Sequence, residues 1–158
     1  MVSVAAVVVD GANMADLQQA FERHLVRSRF FATQDKVVVA VSTGVDSMVL
    51  LDLLQHLPSK NRPQIIVAHM NHELRKQSQL EERFIRQYCK RNDLKLAVAH
   101  WPQTLHPQTG VENAARQARY HFFQEVMEDN QAKILLTAHH QNDLAETMLM
   151  KMTRGGQL

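Results

Sequence analysis

From residue 36 onward the apolar positions fall into two alternating patterns. Four short runs, at 37–41, 65–69, 94–100 and 133–138, are rich in Val, Ile, Leu or Ala and show no polar alternation. That pattern belongs to strands buried on both faces of a parallel sheet. Between the runs, apolar residues recur at helical spacing. Residues 47–57 are apolar nearly all round and stop at Pro58. Leu80, Phe84, Ile85, Tyr88 and Cys89 stripe an otherwise charged segment, and Val111, Ala115, Ala118, Phe122 and Val126 stripe a third that ends near Asp129 and Asn130. A fourth helix is expected over 142–154, with Leu144, Met148 and Met152 inward. Strand–helix alternation at this spacing predicts an α/β fold with a doubly wound, Rossmann-like parallel sheet.

The two ends fit this pattern less well. Met14 opens an amphipathic segment with Leu17, Phe21 and Leu25 on one face. The preceding residues 1–13 read as an extra segment, with the native start at Met14. At the other end the chain stops where a helix has just met Gly155 and Gly156. The expectation is one catalytic domain over 14–158, cut before further domains.

In doubly wound sheets ligands bind beyond the carboxyl ends of the strands, so the segments after each run carry the candidate chemistry. After the first come Ser42, Thr43, Gly44, Val45, Asp46 and Ser47. A strand turning sharply into a helix gathers backbone N–H groups and the positive end of a helix dipole, which attracts phosphate. The turn has neither the Gly-Lys-Ser/Thr ending of the common P-loop nor three-glycine dinucleotide spacing. Ser42 and Asp46 read equally well as helix caps. After the second run come His69, Met70, Asn71, His72, Glu73, Leu74 and Arg75; at the start of the third helix stand Gly110 and Glu112; after the fourth run come His139, His140 and Asp143, with Glu146 one turn on. The histidines read as ordinary core or surface residues unless a partner is shown. A zinc site from His139, His140 and Asp143 with His69 or His72 is a weaker alternative, since no cysteine helps. Arg116 and Arg119, three apart, share a helix face.

Composition narrows this picture only modestly. At 158 residues the chain fits one domain. A formal charge of +2 permits an RNA partner without arguing for one. Cys89 is the single cysteine, which excludes a disulfide framework or a Cys-x-x-Cys metal site within the chain. A reducing, cytoplasmic setting is the natural expectation. The apolar run at 4–9 is too short to span a membrane.

Taken together, the post-strand segments resemble the pyrophosphate-loop ATPases, whose loop reads Ser-Gly-Gly-x-Asp-Ser. More narrowly, they are similar to the N-terminal domain of the tRNA(Ile)-lysidine synthetases, through residues 42–47, 69–75, 112–120 and 137–143, with Glu146, Thr147, Arg154 and Gly155. Thr43 stands where the family has its first loop glycine. The resemblance implies an adenine nucleotide α-hydrolase type of fold and a carbon–nitrogen ligase. In that family ATP adenylates the wobble cytidine of a tRNA(Ile) with a CAU anticodon, and the amine of free L-lysine then displaces AMP. It further implies that Ser42, Thr43, Gly44, Val45, Asp46 and Ser47 cradle the pyrophosphate and that Asp46 holds Mg²⁺. His69 and Met70 would line the adenosine side, Arg116 would meet a phosphate, and Asp143 with His139 would serve the lysine amine. No membrane partner is implied, and a homodimer is compatible. Other pyrophosphate-loop enzymes, such as tRNA thiolases, and a catalytically silent nucleotide-binding module are the alternatives.

Overall fold

The computed structural model describes residues 3–10, 18–23, 35–42, 44–73, 76–140 and 147–154. Six strands form one sheet: β1 (Ser3–Asp10), β2 (Lys36–Ala40), β3 (Gln64–Asn71), β4 (Lys95–His100), β5 (Ile134–His140) and β6 (Thr147–Arg154). Residues 18–23 are helical (α1). The longer helices are α2 (Val45–Gln55), α3 (Ser78–Arg91) and α4 (Val111–Asp129). A single 3₁₀ turn spans Gln103–Leu105. The sheet order is β1-β6-β5-β2-β3-β4. Strands β5, β2, β3 and β4 are mutually parallel, as expected.

The non-alternating runs are explained by helices on both faces. Strand residues point alternately to opposite sides, and here both sides are covered. Val37, Val39, Val41, Val67, Ile134 and Leu136 pack with Leu50, Leu51, Leu53, Leu54 and Leu57 of α2 and the following turn, with Ile85 and Cys89 of α3, and with Phe21. Val38, Ile66, Ala68 and Leu135 pack instead with Phe122, Phe123, Val126 and Met127 of α4. Burial pushes the Cys89 thiol up to about 11, so it stays protonated within the core at neutral pH. β4 is the exception among the predicted runs. It pairs only with β3, and its residues are half-buried or exposed, because it lies at the sheet's edge.

The fourth predicted helix is corrected. Residues 147–154 form β6, antiparallel to both β5 and β1, with His140 opposite Met148 and Asp10 opposite Thr147. The sequence alternates Met148, Met150 and Met152 with Thr147, Leu149, Lys151 and Thr153, so it carries a period of two beside the helical one. With β5 on one side and the valine-rich β1 on the other, every backbone group gains a ladder partner, and pairing decides between the two periods. The sheet is therefore mixed at this edge rather than parallel throughout. Residues 141–146, including Asp143, Leu144 and Glu146, lie outside the described residues, as does Thr43.

Chain direction turns at β2. The path β2–α2–β3–α3–β4 moves one way across the sheet, and α4 then carries the chain back to β5 on the other side of β2. Such a reversal opens a crevice at the carboxyl ends of the central strands.

Leu136 is fully buried in β5 between β2 and β6. Leu136→Ala is expected to lower the unfolding free energy by about 2–5 kcal/mol in urea denaturation. A loss below about 1 kcal/mol would contradict the packing described.

Candidate functional site

A cavity of about 310 Å³ opens at the carboxyl ends of β2, β3 and β5. Its floor is the β2–α2 turn. After β2 the ladder continues one residue, with Val41 N–H donating to Ala68 O at 2.9 Å. The chain then leaves the sheet and enters α2. Gly44 is the N-cap of α2 and makes no side-chain cap hydrogen bond. Neither Ser42 nor Asp46 is the N-cap. Ser47 ties the turn together: its hydroxyl approaches Ser42 O at 2.6 Å and Gly44 O at 3.1 Å, and it accepts from Ser42 N–H at 3.2 Å. Ser42 Oγ accepts from Gly44 N–H at 3.2 Å and lies 3.3 Å from Ser47 Oγ. Gly44 has φ −61°, which any residue can adopt, but an added Cβ would stand 3.2 Å from Ser42 Oγ. Its lack of a side chain keeps the turn close. The first turn of any helix leaves N–H groups without intrahelical acceptors. Here they accompany the dipole's positive end at the cavity floor, a setting for an anion.

The β3 wall comprises His69, Met70, Asn71 and His72. His69 is buried, and its Nδ1 lies 2.8 Å from Val41 O. A carbonyl only accepts, so Nδ1 carries the hydrogen. Its Nε2, and Nδ1 of His72, are buried without a hydrogen-bond partner among the described residues. An unmet buried acceptor costs about 1–3 kcal/mol, which a ligand donor would remove. His72 meets Trp101 edge-on at 6.0 Å, and Trp101 stacks on His106 at 4.0 Å. Burial, then the charges of Arg119, His69 and His106, hold the His72 pKa below the usual imidazole value.

Asn71 shapes the loop that follows. Its Oδ1 accepts from Glu73 N–H at 2.9 Å, and its Nδ2 donates to Glu82 Oε1 at 3.2 Å and Ser78 O at 3.4 Å. This turn holds Glu73 at φ 54°, left-handed for a residue with a side chain. His100 Nε2 lies 2.7 Å from Glu82 Oε1, and Arg86 Nε lies 3.0 Å from Oε2. Burial raises the Glu82 pKa, but hydrogen bonds from Asn71 and Arg86 and the charges of His100 and Arg86 outweigh it and leave the value lowered.

α4 supplies the opposite wall through Arg119, Tyr120 and Phe123. Both Arg116 and Arg119 place their guanidinium 5.7 Å from the Tyr120 ring centroid. Thus Ser42, Ser47, His69 and Met70 share one cavity, and Arg119 rather than Arg116 lines it. Arg116 is exposed one turn earlier in α4. Gly44 and Asp46 belong to the floor's turn without lining the cavity, Val45 opens α2, and His139 lies near the end of β5. Asn71, Tyr120 and Thr137, which stand in the motif segments without an assigned role, also line the cavity, as do Ser78 and Glu81 from outside those segments. For Tyr120 a signal existed, since it stands four residues after Arg116 and beside Arg119. Among the described residues no three His, Cys, Asp or Glu gather as a metal cage. A Mg²⁺ held by one carboxylate, water and substrate phosphates needs no such cage, and Asp46 in the first turn of α2 suits that donor set.

Residues 13–158 match the PP-loop domain family. The chain belongs to that family. Among curated relatives, this PP-loop chain is 55% identical over 140 residues to a tRNA(Ile)-lysidine synthase of Lactiplantibacillus plantarum, covering 89% of the chain and 31% of that protein. It is 44% identical to the tRNA(Ile)-lysidine synthase of Enterococcus faecalis over 80% of the chain and 27% of the relative. For Streptococcus equi the values are 39%, 84% and 30%. The chain thus spans about a third of these relatives' length. A solved U34-tRNA thiolase, NcsA from Methanococcus maripaludis with its [4Fe-4S] cluster, superposes with TM-score 0.62 at 14% identity, covering 77% of this chain and 44% of that one. At that identity the likeness supports the fold alone.

The lowered pKa values have one sign. A group whose folded pKa lies below its unfolded value binds its proton first in the unfolded chain, so stability falls as pH falls. For His72 the loss begins below about pH 6.5, and for Glu82 it follows in the carboxylate range. Unfolding free energy is expected to decline on acidification, and Glu82→Gln should flatten the lower part of that decline in denaturation series from pH 8 to 4. Identical pH slopes in parent and variant would remove Glu82 from the account.

Proposed function

We propose that residues 14–158 form the ATP-cleaving domain of a tRNA(Ile)-lysidine synthetase. The observation that carries this reading is the β2–α2 turn, with its Ser42–Ser47 hydroxyl pair and an uncapped helix start on the cavity floor. The 55% identity to a lysidine synthase supports the choice of substrate class. In this reading the C2 oxygen of the wobble cytidine in a CAU-anticodon tRNA attacks the α-phosphorus of ATP, and pyrophosphate leaves. Free L-lysine then attacks C2 through its amine, and AMP departs.

Each residue has a task that suits its chemistry. Backbone N–H groups in the first turn of α2 and the hydroxyls of Ser42 and Ser47 hold the leaving pyrophosphate, where fixed donors in a dry site are most effective. Asp46 would hold Mg²⁺, which neutralises phosphate charge when bound. Arg119 on the wall suits the α-phosphate, and exposed Arg116 suits a tRNA phosphate, since a guanidinium offers a planar fork of donors. Asp143, assisted by His139, takes the lysine proton, because only the neutral amine is nucleophilic. Met70 lines the adenosine side. A cytoplasmic enzyme working as a homodimer is compatible with these roles. Sulfur transfer fits less well, because the chain's single cysteine is buried with its thiol pushed up to about 11.

Two measurements test the reading. With the protein carried to its relatives' full length, pyrophosphate release should require tRNA(Ile), and its repeated turnover should require lysine as well. Asp46→Ala should slow it about a hundredfold or more while preserving the melting temperature. Unchanged release in that variant would exclude Asp46 from the mechanism, and ATP binding without AMP formation would favour a silent module. Ser47→Ala removes the hydroxyl that ties the turn. It is expected to lower stability by about 1–2 kcal/mol in urea denaturation and to weaken ATP binding in titration calorimetry. Unaltered values for both would contradict the turn's role.

A further inference from the structure

Tyr120 lines the cavity, and its ring is braced by the core. It meets Phe123 edge-on, with centroids 5.8 Å apart and planes at 81°. Phe123 is 3% exposed and belongs to the cluster between α4 and the sheet, against which Tyr120 packs. Two cations share this ring. The guanidinium carbons of Arg116 and Arg119 each stand 5.7 Å from its centroid, a separation at which the negative face of an aromatic ring attracts a cation. Arg116 lies four residues before Tyr120, so helical spacing alone brings those two together. Arg119 is the adjacent residue, and adjacent helical residues do not face each other. Its side chain reaches the ring by lying along the cavity wall. The two arginines are themselves three apart, where like charges repel, and the shared ring offsets that repulsion.

A guanidinium serves a phosphate best when its planar fork is already aimed. An unsupported arginine must lose its rotamer freedom on binding, which weakens its grip on a ligand. We propose that Tyr120 is a positioning residue whose ring holds the Arg119 guanidinium at the cavity wall, aimed at a phosphate of bound ATP. This deepens the ATP reading above and rests on it. Tyr120 acts through Arg119 and makes no phosphate contact of its own. The attraction comes from the negative face of the ring, so its strength follows the electron density there and not the volume of the side chain.

The test changes electron density at nearly constant shape. In the full chain, Tyr120→Phe is compared with chains carrying difluoro- and trifluorophenylalanine at the same position, whose fluorines drain the ring's negative face. Titration calorimetry with ATP should show affinity falling stepwise along the series, by about three- to tenfold in all. In an Arg119→Gln background the series should be flat, because the ring then holds no cavity cation. A ring that only fills space gives equal affinities throughout, and that result overturns the proposal. An undiminished decline without Arg119 overturns it too. A parent chain that binds no ATP overturns the ATP reading and this proposal together, whereas a parent that binds ATP with a flat series overturns this proposal alone. Should Arg119→Gln not fold, the δ-methylene proton resonances of Arg119 in the parent decide. An upfield ring-current displacement supports the stack, and its absence overturns the proposal.

Discussion

The constraint on which the site depends is the exit of the chain from β2. This strand is paired on both sides, by β5 and β3, and covered on both faces by α2, α3 and α4. A central strand cannot end without finding partners for its last backbone groups. Val41 solves this with Ala68 O for its N–H and the His69 ring for its carbonyl. The turn that follows bonds its own N–H groups at Ser42 and Gly44 to the hydroxyls of Ser47 and Ser42. The hydroxyls of Ser42 and Ser47 hold the turn internally, so its closure does not consume the start of α2.

The walls extend the same logic. On one side, imidazoles are held neutral or with a set tautomer by burial and carbonyl bonds. On the other, Arg119 rests against Tyr120, a stack that helps keep a cation in place. Asn71 and its acidic neighbours shape the loop between them. The left-handed Glu73 is tolerated because Asn71 Oδ1 accepts its N–H and Gln103 Nε2 donates to its carbonyl. Strain in the loop is offset by bonds that fix the wall.

Much of this was legible in the chain. The runs at 37–41, 65–69 and 133–138 lie within a residue or two of β2, β3 and β5 because continuous apolar burial is a local pattern. Helices α3 and α4 followed from stripes of period 3.6, and α2 from an apolar run closed by Pro58. The post-strand rule gathers Ser42, Ser47, His69 and Met70 from chain order alone. Arg119 was not separable from Arg116, since residues three apart share a face and only the docking of α4 on the sheet chooses between them. Met148, Met150 and Met152 misled for a related reason: their spacing contains both a period of two and a period near helical.

By itself, the sequence determined which segments become strands and helices in the parallel core, and which polar residues stand at strand ends. These are consequences of periodicity and chain order, and they need no partner. Tertiary structure decided what depends on a neighbour. It made residues 147–154 an antiparallel strand, because β1 and β5 offer hydrogen-bond partners on both sides. It placed Arg119 on the cavity wall, and it gave His69 a donor on one nitrogen and a bare acceptor on the other. A lone imidazole has no preferred role in a sequence; the carbonyl of Val41, 28 residues away, supplies one.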